Sequence, residues 1–258
     1  LPKQIIKLLN PLKNYQKKII FLTLFGLLLS INSIHSQSTK EIEIYNWFDK
    51  SIGKNNLDIN NGVLHTNPYS TIDGSTIYFK EDKFEKGILA FEGQTYYDTS
   101  LKYDVYRDIL ILNPHNASEL IGISLVKEKV DSFSLYNRNF VKLNKEQYNL
   151  PSLTTGYYEV GENTSDFTFY IKHSKAINKT VREDGIFYHF KSKSNYFLAY
   201  KKTLYVADSK SDIIKIFPNK KKYINEFYEM NREQRKTDLN LFMKNLMKYI
   251  NNSLSIEK

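Results

Sequence analysis

A mainly β chain, built as an antiparallel meander with α-helices at its C-terminus, is what the sequence predicts, and three observations predict it. From Ser75 to Ala207, short runs rich in Tyr, Phe, Ile and Val recur between charged or glycine-bearing turns, as successive hairpins do. In the longest of them, Thr95 to Val105, residues alternate in character at period two, the mark of an antiparallel strand with one solvated face. Beyond Asp208 the apolar period becomes that of an amphipathic helix. The expected architecture is a curled sheet, a partly closed barrel or two packed sheets, with the helices over an edge or mouth.

Residues 1–36 differ in kind from the rest. Lys3, Lys7, Lys13, Lys17 and Lys18 form a basic lead with no acid before Glu41, followed by the apolar run Ile19 to Leu29 and then small and polar residues. That order is that of a secretory signal peptide, and the run is shorter than the roughly 20 residues of a spanning helix. Cleavage after Ser36, before Gln37, is expected, with membrane contact confined to the uncleaved peptide. The chain begins at Leu1 rather than Met, so its start is expected upstream. Without this segment the formal charge falls from +9 to about +4, 32 basic residues against 28 acidic ones. Nucleic acid is therefore not an expected partner. With no cysteine in the chain, disulfides, thiol nucleophiles, zinc ribbons and lipoprotein anchors are excluded.

In the mature chain a short helix or turn is expected around Asn46-Trp47-Phe48, then an irregular N-terminal segment through residue 74 with at most a strand at Val63 to Thr66. A first β lobe, residues 75–150, holds strands at Thr76–Lys80, Gly87–Glu92, Thr95–Val105, Asp108–Leu112, Glu119–Val126, Asp131–Tyr136 and Asn139–Leu143. In Thr95–Val105 the expected buried face is Tyr97, Leu101, Tyr103 and Val105. The pattern lapses at Gln147 to Ser152. A second lobe, residues 151–208, holds Thr155–Val160, Asp166–His173, Ala176–Val181, Ile186–Lys191, Tyr196–Tyr200 and Thr203–Ala207. Its expected turns are Gly161-Glu162-Asn163, Glu183-Asp184-Gly185 and Lys191 to Asn195. No fixed-period repeat is present, which excludes a propeller or solenoid.

Residues 209–258 are expected to be helical and packed on the β part. Ser209 or Ser211 can cap a helix through Phe217, and Pro218 suits the first turn of another reaching about Glu229. Leu239, Phe242, Met243, Leu246, Met247 and Ile250 make one apolar stripe, with Lys244 and Lys248 facing outward.

No constellation reads as catalytic, metal-binding or cofactor-binding. Gly122-Ile123-Ser124-Leu125 lacks the second glycine of a nucleophile elbow and lies in a strand pattern. His65, His115, His173 and His189 lack metal-ligand spacing, although His173 and His189 can meet across neighbouring strands. The most acidic and aromatic stretch is Tyr96 to Asp108. Its Tyr96, Asp98, Asp104 and Tyr106 are ligand-binding candidates, carboxylates for sugar hydroxyls or a cation and rings for stacking. The same pattern is also what the wet face of any strand carries.

Gly93-Gln94-Thr95-Tyr96-Tyr97-Asp98, followed by Leu101-Lys102-Tyr103-Asp104-Val105-Tyr106 and Asp108, resembles a group of uncharacterised exported proteins of Bacteroidetes, particularly flavobacteria. The likeness extends to Trp47-Phe48-Asp49, Gly156-Tyr157-Tyr158-Glu159 and Ser209 to Pro218, and so loosely covers most of the mature chain. It implies a periplasmic, outer-membrane-associated or extracellular protein and carries no established activity. Three functions are in play: a non-enzymatic module binding an envelope protein, a carrier of a hydrophobic small molecule or lipid, and a glycan-active enzyme. No cofactor is expected for any of them.

Overall fold

The computed structural model describes residues 33–52, 58–114, 118 and 120–255, so the expected targeting peptide lies, but for residues 33–36, outside the described residues. Residues 1–52 and 53–258 form two compact units. The described part of the first is a single helix, α1 (Ser33–Ile52), where only a short helix or turn was expected around Asn46-Trp47-Phe48. Ile44, Trp47 and Phe48 are exposed on it. No described helix is long and apolar enough to cross a membrane.

The second unit is mainly β, as predicted. Its strands are β1 (Val63–Leu64), β2 (Glu85–Phe91), β3 (Gln94–Asp104), β4 (Ile109–Leu112), β5 (Ile123–Ser124), β6 (Val130–Leu135), β7 (Arg138–Leu143), β8 (Gly156–Asn163), β9 (Phe167–Arg182), β10 (Gly185–Tyr200) and β11 (Thr203–Val206). They form one antiparallel sheet in the order β1-β5-β4-β3-β2-β6-β7-β8-β9-β10-β11, which is not closed: β1 and β11 remain its edges. The sheet runs across the loop at residues 147–152, with β7 paired to β8 from Phe140–Glu159 to Leu143–Gly156. Both central residues of three hairpin turns, Glu92-Gly93, Tyr136-Asn137 and Lys201-Lys202, have positive φ, the backbone that matches the right-handed twist of the flanking strands.

Twist and curl bring β3 against β8. Tyr103 on β3 packs edge-on to Tyr157 on β8 at 5.9 Å, and Phe133 and Phe140 stack between them at 4.7 Å. These rings join Leu89, Phe91, Tyr96, Leu101 and Leu110 in one buried cluster. A second cluster lies under the C-terminal helices α2 (Lys210–Ile216), α3 (Lys221–Met230), α4 (Arg232–Thr237) and α5 (Leu239–Ser255). Ser209 caps α2 in a reciprocal box with Asp212, and Pro218 opens the turn before α3, both as the residue types require. The stripe on α5 is buried from Phe242 to Ile250 against Phe169, Ile171 and Leu198, while Leu239 at its start is exposed.

Four expectations are corrected. Tyr96, not Tyr97, is buried on β3, because the register slips between Gly87–Thr99 and Leu89–Tyr96. One extra residue on β3, with Asp98 at φ 53°, reverses the alternation beyond it. Thr76–Lys80 is no strand: it makes a single bridge, Tyr78 to Asp104, and leaves the sheet at Lys80, where φ is 62°. Gly161-Glu162-Asn163 is not a turn but part of β8, its extra residue accommodated by a bulge. A side chain at Gly161 would strike the Phe169 ring at 2.7 Å. Finally, four expected strands are two. Asp166–His173 and Ala176–Val181 are one strand, β9, and Ile186–Lys191 and Tyr196–Tyr200 are one strand, β10, so the expected turn at Lys191 to Asn195 is continuous strand.

Candidate functional site

The β9–β10 ribbon is paired without interruption from Phe167–Tyr200 to Arg182–Gly185. Side chains opposite one another share a face, so one face carries, in order, Phe169 with Leu198, Ile171 with Tyr196, His173 with Ser194, Lys175 with Ser192, and Ile177 with Phe190. The first two pairs are sealed by the helices. The last packs with Ile77, Tyr78 and Ile111 in another buried cluster. Between them two rungs turn polar, and there the face opens into a cleft of about 270 Å³.

The walls of the cleft come from separate parts of the sheet. Phe79 and Lys80 follow the Tyr78 bridge, Val105 follows β3, Arg138 starts β7 and Asn240 lies in the first turn of α5; Ser174 and Lys193, the rung between the two polar pairs, also border it. The lining includes five basic residues, counting His173, and among the described residues no Asp or Glu. Lys175 is half-buried, and burial holds its ammonium below the usual lysine pKa.

A buried acid lies beneath. Glu159 on β8 is 1% exposed. Its Oε1 accepts from Arg138 Nη1 at 3.0 Å and from Lys244 Nζ, and its Oε2 accepts from His173 Nε2 at 2.6 Å. Burial alone would raise its pKa, but the hydrogen bonds and charge of His173 and Lys244 bring it down to about 2. Lys244 therefore points inward to this carboxylate, not outward as its place beside the stripe suggested. His173 also packs its ring against Phe79 at 5.0 Å, which fixes the floor of the cleft between the two large clusters.

The four candidates from β3 and its turn are not brought together. Tyr96 is in the aromatic interior and Asp98 is exposed at the bulge. Asp104 is fully buried, accepting from the Arg107 backbone N–H at 2.9 Å and from Arg107 Nε at 2.6 Å. Tyr106 packs against Tyr69 and Phe190. Six residues of strand separate Asp98 from Asp104, about 20 Å, so they form no carboxylate pair. Asp108 is neutralised locally: Lys172 Nζ at 2.8 Å, Lys127 Nζ at 2.7 Å and Tyr103 OH at 2.6 Å converge on it. Burial raises its pKa, but Lys172 and Lys127 hold it below the usual range.

A second cleft, about 420 Å³, is lined by His65, Tyr78, Asp82, Phe84, Lys102 and Gly122 among others. Here His65 Nδ1 lies 3.1 Å from Ser124 Oγ, a contact the sequence spacing of 59 residues hides. It does not make a nucleophile. Arg107 Nη2 is 3.1 Å from His65 Nε2 and can only donate, so Nε2 carries the lone pair and Nδ1–H donates to Ser124. Burial and the Arg107 charge lower the pKa of His65 to about 4, which leaves it a weak base. His173 and His189 do not meet: they pair with Ser194 and Asn178 and sit on opposite faces of the ribbon. Among the described residues no group of three His, Asp or Glu is placed to hold a metal ion.

The cleft residues were missed because the strand pattern breaks at Ser174-Lys175 and Lys191 to Asn195 reads as a turn. The signal was the alternation Phe167, Phe169, Ile171, His173, Lys175, Ile177, an apolar face that turns polar for two places and then resumes. Comparison with family models, with curated proteins and with solved structures finds no match to this chain.

Proposed function

We propose that the chain is a non-enzymatic, exported binding module of a bacterial envelope, and that it engages a partner protein with the β9–β10 ribbon. The observation that carries this reading is the uncovered flank of β9. Its pairing with β8 stops at Ile171, while the strand continues to Arg182, and among the described residues no other strand lies beside it there. Tyr188, opposite Lys179, sends its N–H away from β9 to the Ser70 carbonyl at 2.9 Å. The backbone groups of Lys179 therefore face the open flank, as do those of Lys175 and Ile177. Such a row is a template for an added strand. From Lys172 to Lys193 the ribbon carries six lysines and arginines against Glu183 and Asp184, which favours an acidic partner segment.

The two rival functions find less support. A lipid carrier needs a hollow interior, and the curl of the sheet is filled by touching rings, Tyr103, Phe133, Phe140 and Tyr157. A glycan-active enzyme needs carboxylates converging on open space, and Asp104, Asp108 and Glu159 are each bound by their own cations. The test is affinity purification of the mature protein from its native envelope, run beside Lys179→Pro. Proline there deletes one outward N–H and leaves the β9–β10 hydrogen bonds intact. A protein recovered in stoichiometric amount with the parent chain and at least tenfold less with the variant is the expected result. Recovery of a stoichiometric lipid and no protein would sink the proposal.

A further inference from the structure

The polar interval in the ribbon face is expensive to the fold, because two rungs that the neighbouring pairs show can be apolar are instead His173, Ser194, Lys175 and Ser192. Only part of it is explained by internal structure. His173 is used by Glu159, and Ser194 lies beside Tyr196, whose hydroxyl donates to Asn240 Oδ1 at 2.8 Å. Among the described residues, Lys175 and Ser192 make no contact of that kind. Around them the charges do not balance: Lys80, Lys175 and Lys193 border the cleft in addition to Arg138, while Glu159 is already shared by Arg138, His173 and Lys244.

We propose that this cleft is a binding site for a tetrahedral oxyanion, a phosphate or sulfate group carried on a small polar molecule. Lys175 donates from the floor, Ser192 beside it on the same face, Arg138 from the β7 wall, and Lys80 from the rim. Donors arriving from the floor, one wall and the rim suit a tetrahedral group better than a planar carboxylate, which is matched by a coplanar fork. Glu159 serves as a positioning residue: it ties down Arg138 through Nη1 at 3.0 Å and fixes His173 through Nε2, so the floor is set before the anion arrives. At roughly 30 Å³ per water, a cleft of about 270 Å³ holds the anion and a sugar- or polyol-sized group attached to it. Burial already holds the Lys175 ammonium below its usual pKa, and a bound anion would reverse that.

This site is independent of the open β9 flank, and the two can fail separately. The probes are inorganic phosphate, sulfate, glycerol phosphate and acetate, titrated into the full chain at constant ionic strength made up with chloride, and followed by amide chemical shifts and by Tm. Phosphate and sulfate should give saturable shifts at Ser174, Lys175, Ser192 and Lys193 and raise Tm, with acetate at least tenfold weaker. Lys175→Met should weaken phosphate binding at least tenfold, whereas Lys248→Met, an exposed lysine elsewhere on α5, should leave it unchanged. Tighter binding of glycerol phosphate than of inorganic phosphate would support the attached polyol. A non-saturating response, an equal response in Lys175→Met, or acetate as strong as phosphate would overturn the assignment. Lys179→Pro should retain the phosphate response, which separates this result from the fate of the partner-binding reading.

Discussion

Two adjacent stretches of one ribbon face are built to opposite ends. At Phe169, Ile171, Tyr196 and Leu198 the face is apolar and sealed by α5, with Phe169, Ile171 and Leu198 fully buried. One turn of the pleat further on, His173, Lys175, Ser192 and Ser194 face a cleft that α5 borders only with Asn240 among the described residues. The β9–β10 register runs unbroken through both, while β8 pairs with β9 only as far as Ile171. The first stretch holds the molecule together. The second buries less apolar surface, as the proposed oxyanion site requires.

The comparison is broken most directly at Phe169. Replacing it by Ala should destabilise the protein by about 3–5 kcal/mol, a ring's worth of buried contact plus the cavity left between β9 and α5. Urea unfolding followed by far-ultraviolet dichroism measures it, and a loss under about 1 kcal/mol would show that the helices do not clamp this end of the ribbon.

Glu159 stands at the seam between the two stretches. A pKa lowered from about 4.5 to about 2 corresponds to about 3 kcal/mol of stability. The sign is that of a depressed carboxylate: the contribution is complete above pH 4.5, where the unfolded chain is also ionised, and is lost as the pH falls toward 2. Glu159→Gln should cost a similar amount at pH 7, since it leaves Arg138 and Lys244 facing a neutral group. In that variant the loss between pH 4.5 and 2 should shrink by the same amount. Equal acid sensitivity of parent and variant would mean that Glu159 does not carry this charge.

His65 sharpens the picture from outside the ribbon. Its pKa, lowered to about 4 by burial and Arg107, means that the unfolded chain takes up a proton first as the pH falls below 6.5. Stability should therefore decline between pH 6.5 and 4, a window above that of Glu159. Because the ring is half-exposed, the decline is the smaller of the two, and His65→Gln should flatten it. A parent chain whose stability is level from pH 6.5 to 4.5 would contradict the neutral, half-buried imidazole.

Much of the fold was legible because alternation and turn chemistry are local. Glu92-Gly93, Tyr136-Asn137 and the Ser209–Asp212 box announce themselves within a few residues. What was not legible depends on partners far along the chain. The bulge at Asp98 is set by its pairing with Gly87 to Leu89, and it exchanged Tyr96 for Tyr97 in the core. The cleft was read as a strand break and a turn because a strand turning polar at Ser174-Lys175 and at Lys191 to Asn195 looks, locally, like a strand that ends. Only the pairing of Lys175 with Ser192 shows that both strands continue. Glu159 gathers Arg138, His173 and Lys244 from two strands and a helix, and no spacing in the sequence signals that meeting.

The smallest expected effect is the most discriminating. Lys175→Met keeps the aliphatic stem and removes an ammonium that is half-buried with no carboxylate in contact. If the second stretch were structural, its loss would cost as much as an ordinary buried contact. If it is the proposed oxyanion site, its loss costs the free chain nothing, and the variant should match the parent within about 0.5 kcal/mol or exceed it, since the charge is relieved of partial desolvation. The two stretches then separate on one pair of measurements, unfolding in chloride and unfolding in phosphate. Phe169→Ala should lower stability equally in both salts and leave the phosphate increment intact. Lys175→Met should be silent in chloride and lose the increment in phosphate, and a variant that is destabilised by more than about 1 kcal/mol in chloride would return Lys175 to the structural side of the comparison.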